Sequence, residues 1–147
     1  MNVSTRARYG LRAVADIAAQ NSDSPTQLKD VARRQEISVK YLEQIFAQLR
    51  AAGLVRGLRG PRGGYLLSKS PRSIKVREVV EALDGPLSLV GCVDDAGTCK
   101  RAARCSARRL WAHVSHTLRD DLSSLSIADM GMLPAKGRAP RRRRAST

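Results

Sequence analysis

Apolar residues recur along the chain at helical spacing in five stretches, and in one stretch they form two short runs broken by glycines. Ser4 or Thr5 stands where a helix cap belongs, and Leu11, Val14, Ala15 and Ala18 share one face of a helix through about Gln20. Asn21-Ser22-Asp23-Ser24-Pro25 is a turn cluster, and Thr26 is expected to open a short helix carrying Leu28, Val31 and Ala32. Ile37-Ser38 interrupts that periodicity, with Ser38 a candidate N-cap. From Val39 to about Ala52 a third helix turns Leu42, Ile45, Phe46 and Leu49 inward. Gly53 follows, where a helix end favours a left-handed residue. The apolar runs on either side of Gly60-Pro61-Arg62-Gly63-Gly64 predict a β-hairpin. Val76, Val79, Val80 and Leu83 mark a fourth helix, stopped by Gly85-Pro86. Ala107, Trp111, Val114, Leu118, Leu122 and Leu125 are spaced by 4, 3, 4, 4 and 3 residues. They predict a long amphipathic helix from about Ser106 to Leu125, with a narrow apolar stripe.

The predicted fold is therefore mainly α with one small hairpin: a winged helix-turn-helix unit followed by a long helix. The divisions expected are 1–86 for the winged-helix unit, 87–105 for a cysteine loop, 106–130 for the long helix and its C-terminal contact, and 131–147 for a disordered basic tail. No run reaches the apolar length of a membrane span, and the charged N-terminus has no following apolar core, so neither a membrane partner nor a signal peptide is expected. A reducing, cytoplasmic setting is the expectation that follows.

Charge changes the picture more than composition does. The 147 residues carry a formal net charge of +14, part of it in the run Arg141 to Arg144. Such an excess favours a phosphate-rich partner. The third helix opens on Ser38-Val39-Lys40-Tyr41, polar and basic, with its apolar residues beginning just after. A helix whose first turn enters the major groove of double-stranded DNA needs that order. Lys40 and Tyr41 reach backbone or bases in this reading, and Glu43 or Gln44 discriminates bases. Arg56, Arg59 and Arg62 stand among the glycines of the hairpin, where arginine suits a narrow minor groove. Helix-turn-helix shapes also serve as plain packing units, and a basic hairpin also serves as solvated surface. The order of these features on so basic a chain favours nucleic acid. Few aromatics argue against base stacking as the main contact. An enzyme is not expected: the two histidines, His113 and His116, lie on one helix and assemble no nucleophile, base and orienting group.

Cys92, Cys99 and Cys105 are all the cysteines in the chain, with six and then five residues between them. Structural zinc sites use closer pairs, and neither interval fits. A wide loop of thiolates suits an iron–sulfur cluster, with Lys100, Arg101 and Arg104 offsetting its negative charge. Spacing alone leaves open three unliganded thiols, buried or acting as sensors.

The stretches ARYGLRAVADIA, ISVKYLEQIFAQLRAAGLV, RGPRGGYLLSKSP, EVVEALDGP and CKRAARCSARRLW resemble the family of small winged-helix transcription regulators that includes the iron–sulfur regulators IscR, NsrR and RirA. The resemblance runs from about Val3 to Met130. It implies a homodimer whose long helix crosses to its partner. It also implies a 2Fe–2S or 4Fe–4S cluster on Cys92, Cys99 and Cys105, whose loss or oxidation alters DNA binding. The matching positions for a fourth ligand depart from the pattern. A histidine is expected three residues after the last cysteine in one type, and an aspartate near the start of the first helix in another. Arg108 and Arg8 stand there instead, and arginine stays protonated. The fourth ligand is thus unassigned. Asp94, His113 and His116 are its weak candidates within the chain. Rival readings are a cluster-free regulator with thiol-based sensing, and a basic nucleic-acid-binding protein acting through its arginine run.

Overall fold

The computed structural model describes residues 2–21 and 23–133. Most of the stretch read as a basic tail, from residue 134 onward, lies outside them. Helix α1 (Thr5–Ala19) starts at Ser4, whose Oγ accepts from the Ala7 N–H at 3.0 Å. It is followed by α2 (Leu28–Gln35) and α3 (Val39–Ala51). Strands β1 (Val55–Leu58) and β2 (Gly64–Leu67) pair antiparallel, with Val55 opposite Leu67 and Leu58 opposite Gly64. Helix α4 (Val76–Asp84) ends at Gly85, whose φ is 81°. The chain then passes through a one-turn helix α5 (Gly91–Asp94), two 3-10 turns, the long α6 (Ser106–Ser124) and the short α7 (Ile127–Met130). The mainly helical fold with one hairpin is the one the periodicity predicted. No helix among the described residues is long and apolar enough to cross a membrane.

One core joins α1 to α4: Val14, Val31, Leu42, Ile45, Phe46, Leu49, Ile74 and Val79 are all fully buried. Helix α1 comes so close to α4 at Gly10 that an added Cβ would lie 2.2 Å from Leu83 Cδ1. The buried face of α1 is Ala7, Gly10, Ala13, Val14, Asp16 and Ile17. It is rotated from the predicted stripe, because Leu11, Ala15 and Ala18 are only partly buried at its margin.

Three features depart from the sequence reading. Thr26 does not open α2. It pairs with Tyr65 as a bridge beside β2, through Thr26 N–H to Tyr65 O at 2.9 Å and Tyr65 N–H to Thr26 O at 2.8 Å. The cysteine loop is not a plain loop but is broken by α5 and the turns at Ala96–Thr98 and Ala102–Arg104. After α6 the chain folds back. Val76 N–H donates to Leu125 O at 2.9 Å, and Ile127 N–H donates to Ile74 O at 2.9 Å. Helix α7 then packs on α1, its start capped by Ser126 and Asp129 in a reciprocal pair. Backbone groups in short connecting segments must still find partners, and these segments find them across the fold.

Candidate DNA-binding surface and cysteine loop

The helix-turn-helix is set by a polar lock between α1 and α2. Asp16, almost wholly buried, accepts from Arg34 Nε at 3.1 Å to each oxygen, from Arg34 Nη2 at 2.6 Å and from Gln35 Nε2 at 2.9 Å. Burial pushes this carboxyl up, but the bonds from Arg34 and Gln35 together outweigh it and hold the group below its ordinary value. Helix α2 ends at Glu36 in the left-handed region (φ 56°), Ile37 is buried, and the chain turns into α3. Ser38 caps α3, its Oγ accepting from the Tyr41 N–H at 3.1 Å. One face at the start of α3 is at the surface: Ser38, Val39, Lys40, Glu43 and Gln44 are exposed. Tyr41 is half-buried instead, its ring edge-on to Tyr9 with centroids 5.9 Å apart. It therefore supports the helix as well as bordering its exposed turn.

Arg59 and Arg62 are exposed on the tip of the hairpin. Gly60 has φ 106°, and Gly63 N–H donates to Gly60 O at 2.9 Å. A Cβ on Gly63 would sit 2.2 Å from Leu58 O, so this tight tip requires glycine there. The base of the hairpin is tied to α3: the Tyr65 ring tilts against Phe46, centroids 4.9 Å apart. The base of the hairpin that carries the two tip arginines is thus docked on the helix whose first turn is exposed.

The cysteines lie in three different local settings. Cys92 is in α5 and half-buried, Cys99 is exposed, and Cys105 is half-buried at the N-cap of α6. None is in a disulfide. Cys105 Sγ accepts from the Arg108 N–H at 3.4 Å. Arg108 Nε donates to Cys92 O at 2.7 Å, fastening one cysteine segment to the start of α6. Further along α6, Arg119 donates to Leu87 O at 2.5 Å and pairs with Asp94 at 2.8 Å. Leu89 N–H donates to Ser115 Oγ at 3.1 Å, on the one fully buried side chain of α6. The Cys92 segment is thus held against α6 at three points along that helix. By contrast, the hydrogen bonds of residues 96–104 run to neighbours at most three residues away.

The donor chemistry suits a cluster, with three free thiols on a stretch whose middle is tied only to itself. The folded arrangement does not gather them: among the described residues no three His, Cys, Asp or Glu side chains are placed to hold a metal ion. Asp94 is engaged by Arg119 and Ser88. His113 and His116 are exposed on α6. Arg8 is exposed and bonded to Thr5 Oγ1 at 3.0 Å. Sequence reasoning missed Arg119 and Ser115, because an arginine and a serine on a helix carry no signal of which distant loop they hold.

Two helices joined by a tight turn, with an arginine-tipped wing docked on the second, define a winged-helix DNA-binding regulator. The profile of the Rrf2 family, described as iron-dependent transcriptional regulators, matches residues 3–132. The chain belongs to the Rrf2 family of transcriptional regulators. It is similar to the protein rrf2 of Nitratidesulfovibrio vulgaris, 38% identical over 130 residues that cover 88% of this chain and 87% of that protein. It is likewise similar to the HTH-type transcriptional regulator IscR of Yersinia pestis, 37% identical over 88% of this chain and 79% of the relative. Among solved structures, CymR, the global cysteine regulator of B. subtilis, superposes with a TM-score of 0.74 at 33% identity, covering 90% of this chain and 97% of that one. IscR of T. potens superposes with a TM-score of 0.71 at 34% identity, covering 93% and 94%.

Proposed function

We propose that this protein is a dimeric transcription regulator, acting in the cytoplasm as a repressor, whose grip on DNA responds to iron–sulfur or redox status through Cys92, Cys99 and Cys105. The observation that carries the DNA half is the exposed first turn of α3 beside an arginine wing docked on the same helix. Ser38, Val39 and Lys40, with Tyr41 at their margin, fix the protein on phosphates and groove edges, while Glu43 and Gln44 read bases. Arg59 and Arg62 enter the adjacent minor groove. An exposed apolar stripe on α6 supports the dimer. Leu110 is 54% exposed, Trp111 40% and Val114 38%, on a helix whose other end packs against the core through Leu122, with Leu125 just beyond it. A contiguous apolar stripe of this kind is expected to be covered in solution.

Cys92, Cys99 and Cys105 would hold a cluster, and Arg108, bonded to Cys92 O, leaves its fourth place to a group from outside the three cysteines. Such a cluster supplies a group whose charge and persistence depend on iron and oxidants. The chain's own part is to hold the Cys92 segment against α6 through Arg108 and Arg119. Helix α6 returns through Leu125 and Ile127 to the segment between wing and α4, so a change in the loop has a backbone route to the winged-helix unit. A second reading, thiol-based sensing without a cluster, is favoured by the dispersed placement of the three free thiols.

Anaerobic purification followed by iron, sulfide and absorbance measurements tests the cluster reading. Binding to a duplex selected from random DNA is then compared between the parent and a protein with all three cysteines changed to Ala. Iron and sulfide bound in the parent and lost in the variant, with altered DNA affinity, support the cluster. An iron-free parent whose affinity changes on oxidation supports the thiol reading. A colourless parent binding identically with and without its cysteines refutes both.

A further inference from the structure

Gln27 occupies the N-cap of α2, yet its side chain makes no capping bond to that helix. The serines at the N-caps of α1, α3 and α7 do cap theirs. N-cap positions favour short side chains that accept from the helix's free N–H groups, and a glutamine there is unexpected on local grounds. Its amide reaches the wing instead. Gln27 Nε2 donates to the carbonyl oxygen of Pro61, 34 residues further along the chain, at 3.3 Å. Pro61 lies on the tip between Arg59 and Arg62.

The neighbouring geometry explains why a contact at this point matters. Below the tip, the wing is pinned by the backbone pair between Thr26 and Tyr65. Gly64 meets that segment so closely that a Cβ would lie 2.4 Å from Thr26 O. From Gly64 outward the strands end, and residues 59–63 form a glycine-rich turn with an internal bond from Gly63 to Gly60. Glycines leave such a turn many conformations. The Gln27 bond ties its apex back to the first helix of the helix-turn-helix.

We infer that Gln27 is a positioning residue for DNA recognition, holding the wing tip so that Arg59 and Arg62 stand at a set place relative to the first turn of α3. This rests on the reading of the wing as a DNA contact. Gln27 itself touches neither base nor phosphate in this account. Its effect on affinity passes through the two arginines, and because it caps nothing, its loss leaves α2 as stable as before.

The test uses the full chain and a duplex selected by it from random DNA. Gln27→Met keeps the length of the side chain and removes the donor. It is measured alone and combined with Arg59→Ala and Arg62→Ala, by fluorescence anisotropy over a salt series. Amide order parameters are measured for residues 59–63. Gln27→Met is expected to weaken binding about threefold to tenfold, the worth of one ordinary hydrogen bond. In the protein already lacking both arginines it is expected to change affinity less than about twofold, the non-additivity of groups acting through one another. Order parameters at the tip fall, and the melting temperature drops by no more than about 2–4 °C, the worth of the one bond removed. Unchanged affinity or unchanged tip order overturns the inference, and so does an equal loss when the arginines are absent. If removing the arginines makes no difference to DNA binding, the wing reading itself fails, and the inference falls with it. If the arginines matter but Gln27 does not, the inference alone is refuted.

Discussion

Replacing Arg34 with Leu should destabilise this protein more than replacing its partner, Asp16, with Asn, because the two changes leave very different groups behind. The Asp16 side chain is 4% exposed and the Arg34 side chain 32%. Arg34→Leu removes three of the four close contacts to the carboxylate and leaves only the one from Gln35 at 2.9 Å. A buried carboxylate stripped of its partner costs about 3–5 kcal/mol, and the surviving Gln35 bond places the expectation near about 3 kcal/mol. Asp16→Asn instead leaves a guanidinium that water reaches, and its expected cost is about 1–2 kcal/mol. The pH dependence carries a sign that a mere packing defect would lack. In the parent, the folded-state carboxyl lies below its ordinary value. The stability it contributes is complete above the unfolded value of about 3.9 and is lost as the pH falls through the folded value. With Arg34 gone, burial dominates and raises the folded value, so protonation then favours folding. The gap between parent and Arg34→Leu is therefore widest near pH 7 and narrows as the pH falls toward 4. Urea denaturation followed by circular dichroism, at one fixed protein concentration, measures both effects. Equal costs for the two substitutions, or a gap that does not change between pH 7 and pH 4, would refute the reasoning.

Gly10→Ala places a Cβ 2.2 Å from Leu83 Cδ1 and is expected to lower stability by about 1–3 kcal/mol through overpacking between α1 and α4. The same urea titration reads it, and no loss would mean that Leu83 yields freely. Gly64→Ala meets Thr26 O at 2.4 Å in a backbone region (φ 148°) that side chains rarely adopt. It should detach the wing from Thr26, seen as fast hydrogen exchange at the Thr26 and Tyr65 amides, whereas retained protection would show that the wing holds without that contact. Trp111→Glu puts a charge on the exposed stripe of α6 and should convert the proposed dimer to monomer in sedimentation analysis. A dimer of undiminished affinity would place the interface elsewhere.

Much of this fold was legible before any tertiary contact was known, and the reason is range. The period of Leu42, Ile45, Phe46 and Leu49, the cap at Ser38, the left-handed Gly53 and the stop at Gly85 all express interactions between residues a few positions apart. The exposed, basic first turn of α3 and the glycines at the wing tip were legible for the same reason. So were the three cysteines as the candidate chemistry, since residue type alone marks a thiol. The resemblance carried by whole stretches such as RGPRGGYLL added the family.

Other features depended on which surfaces docked. Thr26 reads locally as a helix opener, but β2 lies beside it and takes its backbone groups, so α2 begins two residues later. Nothing local marks Asp16 as buried, but α2 packs over it and supplies Arg34. Gln27 gives no sign in the sequence that its partner is Pro61, nor Arg108 that it holds Cys92 O. Composition and periodicity record what each segment prefers on its own. A hydrogen-bonding group with no local partner takes whatever the packed core brings near, and only the assembled chain determines what that is.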